Sequence, residues 1–307
     1  MKIKAEEIAL KCINNLWDGY QKRVFYAQKY TSLLNERHGK MVFDHLAFRT
    51  LNAHTGEQPE GIKAVKHIFD CLGFQVAATY TFKKKKLNAV QLVHSDLRLP
   101  KIFISQLEVE KLPEWSKQII KQQIMETPYI LSDSAIGLLN RLKADGALTE
   151  EAARILIEDL QRYFVRPWKI PSQSDILKLN DVSHYAAWVL LHGNTVSHFA
   201  ASFNEQNVSE WPNLETTAEA LELAGVPMKN IIEGDDGSKL RQTATHAIKE
   251  EVEVKTEDDV QKIPWTYAYF ELIQRGFVDE NGKKTLFSGF IEKQERHLFE
   301  MTITNDN

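Results

Sequence analysis

The spacing of apolar and polar positions divides the chain into helical and strand-like regions. The first forty residues carry apolar side chains at helical intervals, as at Ile8, Cys12 and Leu16, and are predicted to be helical. Residues 41–110 contain one amphipathic helical pattern, at 62–72, between short apolar runs typical of strands. These runs lie at 42–49, 74–82, 87–94 and 101–108. The predicted order of this region is therefore β-α-β-β-β.

The second half of the chain repeats this order after a helical region. Residues 111–180 show two amphipathic helical patterns and are predicted to be an insertion. Residues 181–307 then return to strands around one helix, with the last strand strongly aromatic. The predicted strands lie at 195–203, 231–232, 240–250 and 266–274, and the helix at 216–223.

Two numerical offsets support an internal repeat. His45 aligns with His198 at an offset of 198 − 45 = 153, and Gly73 aligns with Gly225 at 225 − 73 = 152. Elements keep their order while loops change length, so nearly equal offsets favour duplication. We therefore predict an α+β fold in which two βαβββ modules, at 41–110 and 181–307, pair into an incomplete barrel. With the N-terminal helices at 1–40 and the insertion at 111–180, they are expected to form one compact domain.

Composition narrows the classes of function. The 307 residues are 43% hydrophobic and 26% charged, with a formal charge of −4, which favours neither nucleic acid nor an anionic membrane as a partner. The sequence contains no run of about 18 apolar residues, so no membrane span is predicted. Cys12 and Cys71 form no CxxC pair, and the first ten residues carry charges unlike a signal peptide, so a cytoplasmic protein is expected. The GxGxxG, GxxxxGK[ST], GxSxG and HExxH motifs are absent.

Three chemically active residues share the inner face of the predicted sheet. Side chains alternate along a strand, so residues an even number of positions apart share a strand face. His45 therefore shares a face with Arg49, His198 shares one with Ser202, and Glu271 shares one with Arg275. Two imidazoles and one carboxylate on one side of a metal leave its other positions open, as oxygen-activating iron requires.

Other interpretations of these residues remain open at this level. A strand histidine is often a hydrogen-bonded core residue, and Glu271 can form a buried ion pair with Arg275. Arg49 can pair with Asp44 or Glu271. His184 and His192 flank the first strand of the second module and are rival ligands. Gln106 occupies the repeat position of Glu271 and is a candidate for contact with substrate, as is Ser202.

Several segments resemble a known family. The segment Asp44–Thr50, the segment His192–His198 and the strand around Glu271 resemble the 2-oxoadipate dioxygenase/decarboxylase family, whose fold is similar to the vicinal-oxygen-chelate superfamily. Gly289-Phe290 and Leu298-Phe299-Glu300 resemble its C-terminal pattern. The chain departs from the family pattern in reading Ser-Gln-Leu at 105–107 and Phe-Ala-Ala-Ser after His198, which affects the substrate more than the metal.

The resemblance implies roles for individual residues. His45, His198 and Glu271 would be ligands of Fe²⁺, and Arg49 would bind a substrate carboxylate. Zn²⁺ or Ni²⁺ could occupy the same metal site in a purified sample. The implied reaction consumes a small 2-oxo acid and O2, converting 2-oxoadipate to 2-hydroxyglutarate and CO2. A metal-dependent hydrolase or isomerase and a metal-free binding protein are the alternatives. The sequence sets no oligomeric state.

Overall fold

A computed structural model of the protein describes residues 1–280 and 282–291. The family-like segment Leu298-Phe299-Glu300 lies outside the described residues. Within the described range the helices are α1 (Ala5–Arg23), α2 (Phe25–Glu36), α3 (Ile62–Cys71), α4 (Glu114–Ile124), α5 (Asp133–Asp145), α6 (Glu150–Tyr163), α7 (Gln173–Val182), α8 (His184–His192) and α9 (Leu214–Leu223). The strands are β1 (Lys2–Lys4), β2 (Phe43–Leu51), β3 (Gln75–Phe82), β4 (Leu87–Val93), β5 (Lys101–Leu107), β6 (Ala147–Thr149), β7 (Val196–Ser202), β8 (Leu240–Ala244), β9 (Lys249–Lys255), β10 (Val260–Thr266), β11 (Tyr269–Arg275), β12 (Phe277–Glu280) and β13 (Lys283–Leu286).

Short polar side chains fix where many of the helices begin. The hydroxyls of Ser132, Thr149 and Ser183 each accept a hydrogen bond from the backbone N–H three residues later. Such caps satisfy N–H groups that have no partner inside the helix, and each stabilises the helix by about 1 kcal/mol. Asn213 and Thr216 cap α9 reciprocally. In the described part of the chain, none of these helices has the length and apolar composition needed to cross a bilayer.

Contacts divide the chain into two compact units. The first comprises residues 1–18, 47–197 and 250–265, and the second comprises 19–46, 198–249 and the residues from 266 onward. The prediction of one compact domain with boundaries at 40, 110 and 180 stays a prediction.

The first unit contains the sheet order β3-β4-β5-β2, in which β3, β4 and β5 pair antiparallel. Its core includes rings from β2, α3 and the end of α6: Phe48 lies 5.6 Å from Phe69 and 5.1 Å from Phe164 between ring centroids. Burying a phenylalanine side chain contributes roughly 1.5–3 kcal/mol. The order β2-α3-β3-β4-β5 confirms the predicted first module.

The second unit contains the sheet order β2-β7-β11-β8. Strand β11 runs parallel to β7 and antiparallel to β8. Aromatic side chains fill the core beneath these strands, with Tyr30 5.3 Å from Phe270 and Tyr20 5.1 Å from Phe199 between ring centroids.

The second module differs from its prediction at its middle strands. Residues 231–232 form no strand, and only isolated bridges, such as Glu233 with Gln242, pair this region with β8. The predicted strand 240–250 ends at Ala244, and the hairpin β9–β10 forms a separate two-stranded sheet in the first unit. Ile231 is exposed, and the residues at 234–237 are glycines and aspartates, so this region buries too little apolar surface to form a strand. The α+β fold class is confirmed.

Candidate metal centre

Three strands of the second unit supply the predicted ligands. His45 lies on β2, His198 on β7 and Glu271 on β11. The parallel register sets Tyr269 beside His198 and Glu271 beside Ala200. Because residues two apart share a strand face, Glu271 points to the side of the sheet that His198 occupies.

The three side chains converge and are buried. The Nε2 atoms of His45 and His198 lie 3.2 Å apart. Oε2 of Glu271 lies 3.3 Å from the first and 3.8 Å from the second. Relative exposures are 1% for His45, 7% for His198 and 1% for Glu271. Within the described residues, these three form the group whose donor atoms are arranged to hold a metal ion.

The triangle of donor atoms fits a first-row metal ion. The point in their plane that is equally distant from the three donor atoms lies about 2.0 Å from each of them. Metal bonds to imidazole and carboxylate are about 2.0–2.2 Å long. Neither carboxylate oxygen of Glu271 has a hydrogen-bond partner among the described residues. A buried carboxylate without donors is costly, and a cation would satisfy it.

The far side of His45 is held by a charged pair. Nδ1 of His45 donates to Oδ1 of Asp44 at 2.9 Å. Arg275 donates two hydrogen bonds to the same carboxylate, from Nε at 2.5 Å and from Nη2 at 2.8 Å. Because the Nδ1–H of His45 donates its hydrogen bond to Asp44, the Nε2 lone pair of His45 is directed toward the common point.

A tyrosine holds the far side of His198. The hydroxyl of Tyr269 lies 3.0 Å from Nδ1 of His198, and the two rings stack with centroids 5.0 Å apart. The hydroxyl of Tyr20 in turn donates to the backbone carbonyl of Tyr269. Each imidazole therefore has its second nitrogen fixed by a buried neighbour.

Burial and neighbouring charges act in opposite directions on the pKa values. Burial lowers the pKa of His45, but the hydrogen bond to Asp44 and the carboxylate of Glu271 outweigh it and leave that pKa above its usual value. Burial raises the pKa of Glu271, but the imidazoles of His198 and His45 leave it below its usual value. A bound cation would displace the proton that these groups favour in its absence.

Arg49 is buried within the first unit. Its guanidinium carbon lies 4.9 Å from the ring of Trp188 and 5.5 Å from the ring of Tyr185, both on α8. The hydroxyl of Tyr185 lies 2.9 Å from the hydroxyl of Ser105 and accepts a 3.2 Å hydrogen bond from the Thr50 amide. Two aromatic side chains of α8 therefore pack against the Arg49 guanidinium, and hydrogen bonds hold the Tyr185 hydroxyl in place. Its contact with substrate stays a prediction.

The other candidate contacts with substrate have structural partners of their own. Oε1 of Gln106 accepts a 2.8 Å hydrogen bond from the Ile62 amide at the start of α3, and a Cβ at Gly61 would lie 2.0 Å from that oxygen. The buried Ser202 donates its backbone N–H to the carbonyl of Val42 at 2.8 Å. Roles in substrate binding for Gln106 and Ser202 stay predictions.

The rival ligands lie elsewhere. His184 and His192 are the first and last residues of α8, and neither belongs to the group of three within the described range. Nδ1 of His192 lies 3.3 Å from Glu250. Arg275 binds Asp44 rather than Glu271.

Two residues near the ligands were not assigned these contacts from the sequence. Asp44 is the direct neighbour of His45, and Tyr269 shares a strand face with Glu271. The position of Tyr269 on the ligand face could be found from period-two spacing alone. The contact of Asp44 with His45 could not be found in this way, because the side chains of adjacent strand residues normally point to opposite faces.

The chain matches one protein-family model along almost its whole length. Residues 6–305 match the family model HGLS, described as 2-oxoadipate dioxygenase/decarboxylase. The chain belongs to that family. This membership agrees with the resemblance carried by the His45 and His198 segments.

A curated plant protein of this family is similar to most of the chain. The chloroplastic 2-oxoadipate dioxygenase/decarboxylase of Arabidopsis thaliana is 24% identical over 250 residues, which is 75% of this chain and 58% of that protein. The chain thus spans little more than half the length of this curated relative. Since that relative is described as chloroplastic, a cytoplasmic location stays a prediction.

Solved structures share the fold. A protein from Ralstonia eutropha JMP134, described as belonging to the glyoxalase superfamily, has a TM-score of 0.84 at 24% identity, covering 94% of this chain and 87% of that chain. The hydroxyglutarate synthase of Oryza sativa, solved in complex with 2-oxoadipate, has a TM-score of 0.74 at 22% identity, covering 98% and 93%. At these identities the likeness establishes the fold.

Proposed function

We propose that the protein is an Fe(II)-dependent dioxygenase that oxidatively decarboxylates a 2-oxo diacid, with 2-oxoadipate as substrate. The observation that carries this proposal is the buried group of His45, His198 and Glu271, whose donor atoms share a point about 2.0 Å away. Two histidines and one carboxylate are typical of non-haem iron oxygenases. Membership of the family supports the same reaction class.

The number of protein donors suits this substrate class. His45, His198 and Glu271 would hold the metal with three protein donors, and a metal held in this way would keep positions open for a 2-oxo acid and for O2. Iron(II), when bound, supplies the redox chemistry that lets O2 react with an organic acid. Zn²⁺ and Ni²⁺ would fit the same donors without supplying it.

The proposed reaction balances without a further oxidant or reductant. 2-Oxoadipate and O2 give 2-hydroxyglutarate and CO2. Carbon 1 leaves as CO2 when the bond between carbons 1 and 2 breaks, and one oxygen atom completes the new carboxylate. The other oxygen atom becomes the hydroxyl. Bond cleavage and hydroxylation each supply two of the four electrons that reduce O2.

The protein residues have separate tasks in this proposal. His45, His198 and Glu271 hold the metal, and their burial keeps bulk water from competing for it. Arg49 would bind the distal carboxylate, for which a planar guanidinium offers two parallel hydrogen bonds.

Oxygen uptake tests the proposal directly. Protein reconstituted with Fe(II) without air is mixed with 2-oxoadipate, 2-oxoglutarate or oxaloacetate, and air-saturated buffer is then added. We expect uptake with 2-oxoadipate, with one CO2 and one 2-hydroxyglutarate formed per O2. Glu271→Gln should abolish uptake, whereas Glu250→Gln, a carboxylate paired with His192 outside the group, should retain it. Turnover without O2 by protein carrying Zn²⁺ or Ni²⁺ would instead indicate a hydrolase or isomerase.

A further inference from the structure

Arg275 joins two parts of the second unit through four hydrogen bonds. Two of them reach the carboxylate of Asp44, at 2.5 and 2.8 Å. The other two, both from Nη1, reach the backbone carbonyls of Phe287 at 2.8 Å and Gly289 at 2.9 Å. Arg275 and Asp44 are both buried. Such an arrangement uses the whole planar fork of the guanidinium, which a lysine cannot reproduce.

The segment that Arg275 holds also lies against a predicted ligand. The ring of Phe290 meets the imidazole of His45 edge-on, with centroids 5.1 Å apart. The guanidinium carbon of Arg275 lies 5.8 Å from the same ring. Residues 287–290, which we term the cover segment, thus touch His45 directly and are tied to it a second time through Arg275 and Asp44.

We propose that Arg275 is a positioning residue that couples the order of the cover segment to the binding of a divalent cation by His45. This inference rests on the metal site of the proposed function. Oδ1 of Asp44 accepts from both His45 and Arg275, so the orientation of the imidazole and that of the guanidinium depend on one carboxylate. A cation at Nε2 fixes the imidazole, which fixes Asp44 and Arg275 and thereby the two carbonyls of the cover segment.

Hydrogen exchange measures the coupling without any substitution. Full-length protein is compared with and without Zn²⁺, so that no O2 chemistry enters the result. We expect slower exchange at the amides of residues 288–290 in the zinc-loaded protein. Arg275→Lys should bind zinc yet lose most of this protection. The matched control is Arg241→Lys, because Arg241 is also a largely buried arginine paired with a carboxylate, that of Glu215. Equal exchange with and without zinc in the wild-type protein would overturn the coupling.

Zinc affinity provides a second and independent readout. Neighbours that orient a metal ligand typically change affinity by about 10- to 100-fold. We expect Asp44→Asn and Arg275→Lys each to weaken binding, measured by competition with a chelator, and the double variant to be no weaker than the weaker single variant. Additive losses, or wild-type affinity in Arg275→Lys, would contradict the proposal.

The two proposals fail in different ways. Zinc binding with metal-dependent protection of the cover segment, but no O2 uptake with iron, would leave the coupling intact and refute the proposed reaction. Normal O2 uptake by the wild-type protein, together with wild-type zinc affinity and wild-type protection of the cover segment in Arg275→Lys, would support the proposed reaction and refute the coupling. Absence of zinc binding in wild-type protein would overturn both.

Discussion

Replacement of Glu271 by glutamine tests the metal site through stability, without requiring turnover. A ligand present at 1,000 times its Kd stabilises the native state by about 4.1 kcal/mol. At roughly 2.1 cal/mol/K per residue, the unfolding entropy of 307 residues is about 0.64 kcal/mol/K, so this stabilisation raises Tm by about 6 °C. Glu271 is one of three donors, and its loss should weaken affinity by more than the roughly 100-fold that an outer neighbour can cause. At the same metal concentration, a 100-fold loss leaves about 1.4 kcal/mol, or a gain of about 2 °C.

The assay is differential scanning fluorimetry of metal-free protein titrated with Zn²⁺ or anaerobic Fe²⁺. The expected result is a gain in Tm of about 6 °C for wild type and about 2 °C or less for Glu271→Gln. Glu250→Gln is the matched control and should keep the full gain, because its carboxylate lies next to His192 rather than in the group of three. Equal gains in wild type and Glu271→Gln would refute the ligand assignment.

Further predictions concern pH, substrate and thiol chemistry. The pKa of His45 lies above its usual 6.5 and that of Glu271 below its usual 4.5, so these groups contribute most to the stability of metal-free protein between those pH values. The His45 contribution is lost as pH rises through its folded pKa and that of Glu271 as pH falls through its own; urea unfolding at pH 5.5 and 8 should show the weaker protein at pH 8. Arg49→Lys should raise KM for 2-oxoadipate by about 10-fold or more with zinc affinity unchanged, because a charged hydrogen bond contributes roughly 1.5–3 kcal/mol; an unchanged KM would remove Arg49 from the site. Burial raises the pKa of Cys12 to about 12, so iodoacetamide at pH 8 should modify it slowly in folded protein and readily after unfolding, as mass spectrometry would show.

The first module illustrates what spacing alone predicts. Its strands and helix agree with the structure to within about two residues, because each apolar run is short, regular and ended by turn residues. The second module was harder to predict. Its middle strands are replaced by isolated bridges and a separate hairpin, and only contacts distant in sequence decide that β9 and β10 leave the main sheet.

The site shows the same limit at the level of single side chains. Period-two alternation places His45, His198 and Glu271 on inner strand faces, and the structure brings their donor atoms together. The partner of Arg275 did not follow from the sequence. Arg275 lies on the same strand face as Glu271, yet its guanidinium donates to Asp44, which is 231 residues away in the chain. Long flexible side chains choose partners by three-dimensional proximity, which strand spacing does not encode.

The parallel pairing of β7 with β11 has a consequence for how a cation would leave. Two of the three donors project from adjacent hydrogen-bonded strands, and β11 is flanked on its other side by β8. Backbone opening of an interior strand belongs to the least frequent fluctuations of a protein. Exchange of the ion would therefore proceed by rotation of side chains about their χ angles, each resisted by a buried neighbour. We therefore expect the ion to dissociate slowly, because each of these rotations of a histidine ligand breaks a hydrogen bond to a buried neighbour.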